Sequence, residues 1–217
     1  MRKIIGSIFI FLGTLLILSA VALVLYNRAE AASAEQSSRE LLPVLVEEII
    51  KQQEEPQQPQ SAQAPEEPTA PKPAPVYTMQ EIEINGHSYI GVLSIPTLEL
   101  ELPIMADWNY TKLRIAPCRY HGTVLGEDLV IMAHNYARHF GRLSELQEGD
   151  VVTFIDVTGI ATDYEMIARD VLMPNAVAEM TAGDYDLTLF TCTYGGKSRV
   201  TVYFDRVKAN NNLNTEE

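Results

Sequence analysis

The sequence has 217 residues and a formal net charge of −13 at neutral pH. This acidic balance argues against nucleic acid or anionic lipid as a partner. With only two cysteines, Cys118 and Cys192, the chain lacks the cysteine density of a small disulfide-stapled scaffold, although one bond between them can form in an exported protein.

The N-terminal residues have the pattern of a membrane anchor. Residues 4–25 carry no charged side chain, and as a helix this run is long enough to cross a bilayer. A cleavable signal peptide is the alternative, but its apolar core is usually only about 7–15 residues long. We therefore expect a retained anchor over residues 1–27. Because Arg2 and Lys3 precede the span, the positive-inside rule predicts a cytoplasmic N-terminus and an extracellular remainder.

Residues 28–76 are predicted to connect the anchor to a folded domain. A short apolar pattern at helical spacing follows Pro43, and it fits a short juxtamembrane helix as well as a disordered stalk. Residues 52–75 contain seven prolines among Gln, Glu and Ala and no aromatic residue. Such a composition cannot bury a core, so we expect an extended, disordered spacer that holds the domain away from the membrane.

Residues 77–208 have the signals of one domain made mainly of β-strands. The dipeptide Asn85-Gly86, typical of a tight hairpin, separates strand patterns at 81–84 and 89–93. Further strand patterns, with turn residues between them, cover 98–102, 129–133, 151–155, 160–168, 187–191 and 199–207. A short helix is predicted over residues 108–115. This succession predicts a sandwich or a closed barrel, followed by a polar tail over residues 209–217.

Cys192 stands at the end of a predicted strand. Strand-forming residues run up to it, Gly195-Gly196 interrupts the run, and a second strand begins at Arg199. A strand end beside a loop can present a thiol as a nucleophile, whereas a lone cysteine in an apolar run is more often a buried core residue. This stretch alone leaves both interpretations open.

A reactive thiol needs a partner that takes its proton, and histidine is the usual one. His134 follows the apolar run 129–133 and so occupies a strand end like that of Cys192. The other histidines lie in predicted turns or connections and are weaker candidates: His87, His121 and His139.

Arg199 is the third candidate. Its guanidinium offers five N–H donors in a fixed fork, which can hold a substrate carbonyl or a developing oxyanion. An exposed arginine on an edge strand is the commoner case. Here, however, a tight return through Gly195-Gly196 would bring Arg199 back beside the end of the Cys192 strand.

These segments resemble the sortase family. Residues 188–192, Thr-Leu-Phe-Thr-Cys, followed by Arg199, are similar to the sortase signature Thr-Leu-x-Thr-Cys with its downstream arginine. Residues 130–135, Val-Ile-Met-Ala-His-Asn, resemble the sortase histidine strand. Similar segments occur, in the same order along the domain, at 91–96, 98–103 and 140–150.

The resemblance implies a closed eight-stranded β-barrel with short helices, preceded by a transmembrane helix and the Pro/Gln-rich spacer. It also implies a cysteine transpeptidase at the outer face of a Gram-positive-type cell membrane. Cys192 would be the nucleophile, His134 the general acid and base, and Arg199 the group that holds the substrate carbonyl or the oxyanion. Thr191, the threonine of the motif, would be structural or line the groove, and Thr191 and Asn135 are the candidates for a substrate contact.

The implied substrates are exported proteins with a C-terminal sorting motif, and the implied acceptor is an amine of a peptidoglycan precursor or a pilin lysine, with slow hydrolysis as a side reaction. We expect no cofactor and no metal. The short loop between Cys192 and Arg199 leaves the subclass open. Two alternatives remain: a cysteine protease with a similar site, and a non-enzymatic tethered binding module whose Cys192 is buried or bonded to Cys118.

Overall fold

The computed structural model describes residues 2–54 and 78–208. The expected spacer lies almost wholly outside these ranges, and the expected tail over residues 209–217 lies entirely outside them. Both therefore stay predictions. The first described range is one helix, α1 (Arg2–Glu54), which contains Pro43. This one long helix takes the place of the short helix that was predicted after Pro43. The side chain of Pro43 is exposed, so the proline interrupts no packed face of the helix.

The first half of α1 fits the predicted membrane anchor. The described stretch Phe9–Glu54 contains an 18-residue window with a mean hydropathy of 2.6, none of which is buried against the rest of the protein. By length and composition this helix can cross a membrane.

Nine strands follow: β1 (Ile82–Ile84), β2 (His87–Ile95), β3 (Leu100–Met105), β4 (Cys118–His121), β5 (Leu129–Ala133), β6 (Val151–Asp156), β7 (Ala161–Leu172), β8 (Leu187–Cys192) and β9 (Arg199–Arg206). They pair in the order β1-β2-β3-β4-β5-β8-β9-β7-β6, and β6 pairs again with β2. Strands β2 to β9 therefore close into the predicted eight-stranded barrel, and β1 is an extra strand on the first part of β2. The β3–β4 and β5–β8 pairs are parallel, and the others are antiparallel.

The closure between β2 and β6 depends on Gly91. Its φ of +152° lies in a region that side chains rarely adopt. A Cβ at this position would lie only 2.1 Å from the carbonyl oxygen of Ile155, so no larger residue fits without moving β6. The barrel interior is filled by a large buried cluster that includes Leu93, Ile131 and Phe154.

Two local predictions were wrong. Residues 108–115 contain only one 3₁₀ turn, Lys112–Arg114, because the segment is a connection that packs on the barrel through Leu113. Strand β4 was not predicted; its first residue, Cys118, is fully buried, whereas its other three residues are half-buried or exposed. A short α-helix, α2 (Val177–Met180), lies between β7 and β8.

Candidate active site

The three predicted site residues meet at one rim of the barrel. Strands β5 and β8 run parallel, with Ala133 opposite Thr191. His134 directly follows Ala133, and Cys192 directly follows Thr191. Both residues therefore stand at the same edge of the sheet. Strand β9 runs antiparallel to β8, and Arg199 is the register partner of Cys192. The strand ends inferred from sequence therefore converge.

A tight loop returns the chain from Cys192 to Arg199. The amide of Thr193 donates to the carbonyl of Ser198 at 2.9 Å, and the amide of Gly196 donates to the carbonyl of Thr193 at 2.8 Å. Gly195 and Gly196 both have positive φ, at +84° and +73°, which favours glycine over other residues. The expectation that this glycine pair brings Arg199 back beside Cys192 is confirmed.

The Arg199 side chain is held by this same loop. Its Nη1 donates to the carbonyls of Gly196 and Ser198, at 3.2 and 3.1 Å. The guanidinium is half-buried, and its Nε and Nη2 groups bond to no other residue in the part of the chain that the structure describes. The hydrogen bonds of Nη1 therefore orient Arg199, and the N–H groups of Nε and Nη2 stay available for a ligand.

A cavity of about 150 Å³ opens beside these residues and is lined by His134, Cys192 and Arg199. Three aromatic side chains form one wall of it. The ring centroids of Trp108 and Tyr120 lie 5.6 Å apart, and Tyr120 packs edge to face on Phe190 at 5.2 Å. Val177 and Met180 of α2 also line it. The thiol thus borders this mainly apolar cavity, called the apolar groove below, which can take the apolar side chains of an extended peptide.

This aromatic wall was missed by sequence reasoning. Trp108 lies in a connection and Tyr120 in the strand that was not predicted. The available signal was the only tryptophan of the chain, two residues from Tyr110 in a segment with little helical pattern.

A second cavity, of about 260 Å³, also borders Cys192. Its lining is more polar than that of the first and includes Asn135, Ser144, Thr193 and Tyr194. Cys192 lines both cavities. A group bound to the thiol can therefore enter either cavity.

Thr191 and Asn135 have different settings. The hydroxyl of the buried Thr191 donates to the carbonyl of Ala133 at 2.8 Å, which fixes β8 against β5 and keeps His134 level with Cys192. Asn135 is exposed and lines the second cavity. A substrate contact by either residue stays a prediction.

The half-buried imidazole of His134 lies next to Tyr136, with ring centroids 4.9 Å apart. Burial lowers the pKa of His134 from its usual value near 6.5, Glu30 opposes this shift, and Arg114 adds to it. This shift favours the neutral imidazole, which is the form that accepts a proton.

None of the other three histidines lines either cavity. His139 is fully buried, with Nε2 3.4 Å from the hydroxyl oxygen of Ser38 in α1. Burial lowers the pKa of His139 to about 4, and the neighbouring His134 adds to the shift. The Nε2 atom of His121 lies 3.8 Å from Oδ2 of Asp128.

The two cysteines are not bonded to each other. Burial raises the pKa of Cys118 to about 12, so this thiol is inert at neutral pH. Cys192 is only half-buried, at the rim. Both findings disfavour the binding module with a buried or disulfide-bonded Cys192.

Comparison with known proteins gives a consistent result. The family model of the sortase domain matches residues 93–207. Sortase A from Corynebacterium diphtheriae is 27% identical with a TM-score of 0.51, and the match covers 58% of this chain and 64% of that one. Sortase C1 from Streptococcus suis is 28% identical with a TM-score of 0.51, over 59% of this chain and 78% of that one. No curated protein matches the chain.

Proposed function

Because the chain belongs to the sortase family, whose members are cysteine transpeptidases, we propose that it cleaves a C-terminal sorting motif of exported proteins and transfers the acyl group to an amine. The observation that carries this proposal is the convergence of Cys192, His134 and Arg199 at one barrel rim, beside an apolar groove.

In the first half-reaction, the Cys192 sulfur attacks the carbonyl carbon of the scissile peptide bond, and the thiol proton passes to His134. The free N–H groups of Arg199 hold the carbonyl oxygen as it becomes negative. His134 then protonates the leaving amine, the C–N bond breaks, and a thioester on Cys192 remains.

In the second half-reaction, an amine attacks the thioester carbon. His134 takes the proton of the amine, the C–S bond breaks as the amide forms, and His134 returns the proton to the Cys192 sulfur. The two cavities that meet at Cys192 fit this sequence of events. The apolar one has room for the acyl part of the motif, and the polar one has room for the leaving and the entering amine.

The cellular setting is part of the proposal. Helix α1 anchors the protein, the N-terminus is cytoplasmic because Arg2 and Lys3 precede the span, and the barrel lies outside the membrane. The acceptor is an amine of a peptidoglycan precursor or a pilin lysine, and water is a slow competitor. Corynebacterial sortase A and streptococcal sortase C1 are about equally similar to the chain, so the subclass stays open.

Capture of the acyl-enzyme tests the proposal. The full-length protein in detergent is mixed with a library of candidate sorting peptides, without an amine, and its intact mass is measured. We expect the mass to increase by one peptide acyl fragment, bound at Cys192 and released by hydroxylamine. An adduct on any other residue, or no adduct with any peptide while the protein is folded, contradicts the proposal.

A further inference from the structure

The second half of α1 packs lengthwise on the outside of the barrel. One stripe of the helix is buried at helical spacing: Ala34, Ser38, Leu45 and Ile49. Leu45 and Ile49 enter an apolar cluster with Ile82, Tyr89 and Met105 of the barrel. The same helix that carries the membrane-spanning sequence is therefore docked on the catalytic domain.

Polar contacts fix the first turns of this docked segment. Glu30 pairs with Arg114 at 3.0 Å, and Glu35 pairs with Arg138 at 3.3 Å. The hydroxyl of Ser38 donates to the carbonyl of Ile115 at 3.3 Å. These contacts set both the rotation of the helix and its position along the barrel.

The direction of the helix relative to the active site follows from its two ends. Glu30 lies close enough to His134 and Tyr136 to affect the pKa of both. At the other end, the side chain of Gln53 fills the space beside Gly159, in the turn between β6 and β7. That turn lies at the opposite end of the barrel from Cys192, since Leu172 at the far end of β7 pairs with Arg199. Helix α1 therefore reaches the barrel at the active-site rim.

The membrane-spanning part ends just before this contact. The exposed apolar side chains of α1 extend to Tyr26, which is near enough to contribute to the raised pKa of Tyr136. Because α1 is continuous, Glu30 lies only about 6 Å further along its axis. The rim that carries His134 is thus adjacent to the edge of the bilayer.

We propose that the docked half of α1 holds the active-site rim at the membrane surface. The apolar groove then faces the lipid headgroups of the bilayer in which α1 is anchored. The partly exposed Trp108 and the exposed Tyr110 stand at this rim, and aromatic side chains of this kind favour the membrane interface. This placement differs from the expectation of a spacer that holds the domain away from the membrane.

The single tryptophan of the chain makes the placement measurable without catalysis, because Trp108 lines the groove at the rim. The full-length protein is reconstituted in phosphatidylcholine vesicles, with or without lipids that carry a nitroxide on the headgroup. Nitroxides quench tryptophan only at short range, so we expect a loss of most of the Trp108 emission with the labelled lipid.

Matched variants test whether the docking of α1 is what brings Trp108 close to the lipid headgroups. Leu45→Asp with Ile49→Asp places charges in the docked stripe and should abolish the quenching. Val46→Asp with Ile50→Asp places the same charges on exposed neighbours, 39% and 49% accessible, and should leave it unchanged. Insertion of a Gly/Ser segment after Arg28 separates the docked unit from the anchor without changing the stripe, and should also abolish the quenching even if the first variant fails to fold.

Unquenched emission in the wild type, or quenching that survives the insertion, overturns the placement.

Discussion

Cys192→Ala is expected to lower kcat/KM for acyl transfer by on the order of 10³-fold or more, because Cys192 supplies the only thiol that lines either cavity at the rim. The fold should survive, since Cys192 is only half-buried and lies at the end of β8. Transfer is measured with the full-length protein, a sorting peptide and an amine acceptor, and folding is measured by circular dichroism.

Cys118→Ala is the matched control. Cys118 is the only other thiol of the chain, it is buried in β4, and its pKa is raised to about 12. This variant should transfer at nearly the rate of the wild type and still form the acyl-enzyme. If Cys192→Ala transfers as fast as Cys118→Ala, the nucleophile has been misassigned.

His134→Gln is expected to lower kcat by roughly 10²- to 10⁴-fold, the range typical for loss of a general acid and base. Glutamine keeps hydrogen-bonding capacity but cannot carry the proton from the thiol to the leaving amine. In the wild type, burial lowers the pKa of His134, so the acid limb of the pH profile should lie below pH 6.5 and the base form should persist at neutral pH. Transfer rates measured across pH 5 to 8 check both expectations.

His121→Gln provides the comparison for this variant. His121 is half-exposed, lies 3.8 Å from Asp128 and lines neither of the two cavities beside Cys192. The His121→Gln variant should leave both the transfer rate and the acid limb of the pH profile unchanged. A pH profile whose acid limb stays in place in His134→Gln, with only a small loss of rate, would assign the proton transfer to another group.

Local patterns were sufficient to predict the positions of Cys192, His134 and Arg199. Each residue ends or begins a strand whose apolar pattern is clear in the sequence, and the glycine pair between Cys192 and Arg199 allows only a tight return. The pairing of β5 with β8, which places His134 beside Cys192, is a long-range contact between residues far apart in the chain. The matching strand ends allowed this convergence, and the family resemblance supplied the pairing.

The aromatic wall of the groove could not be predicted in the same way. Trp108, Tyr120 and Phe190 come from a connection and two different strands, and they meet only because β4 and β8 both flank β5. Strand β4 itself has four residues between Pro117 and Gly122, too few for a recognisable alternation.

Docking of α1 was missed for a related reason. Two members of its buried stripe are Ala34 and Ser38, which give almost no hydrophobic signal, and Pro43 within the helix suggested a boundary. Burial of this face depends on the shape of the barrel surface that receives it. The sequence of α1 alone does not contain that information.

Partition of the acyl group between an amine and water tests the central claim most directly. The full-length protein is given a sorting peptide at increasing concentrations of an amine acceptor, and the amide and the free acid are quantified together. If this rim is the active site of a transpeptidase, amide formation should rise with amine concentration and exceed a slow background of free acid. Free acid as the only product, formed at a rate independent of the amine, would contradict the claim and identify the enzyme as a cysteine protease.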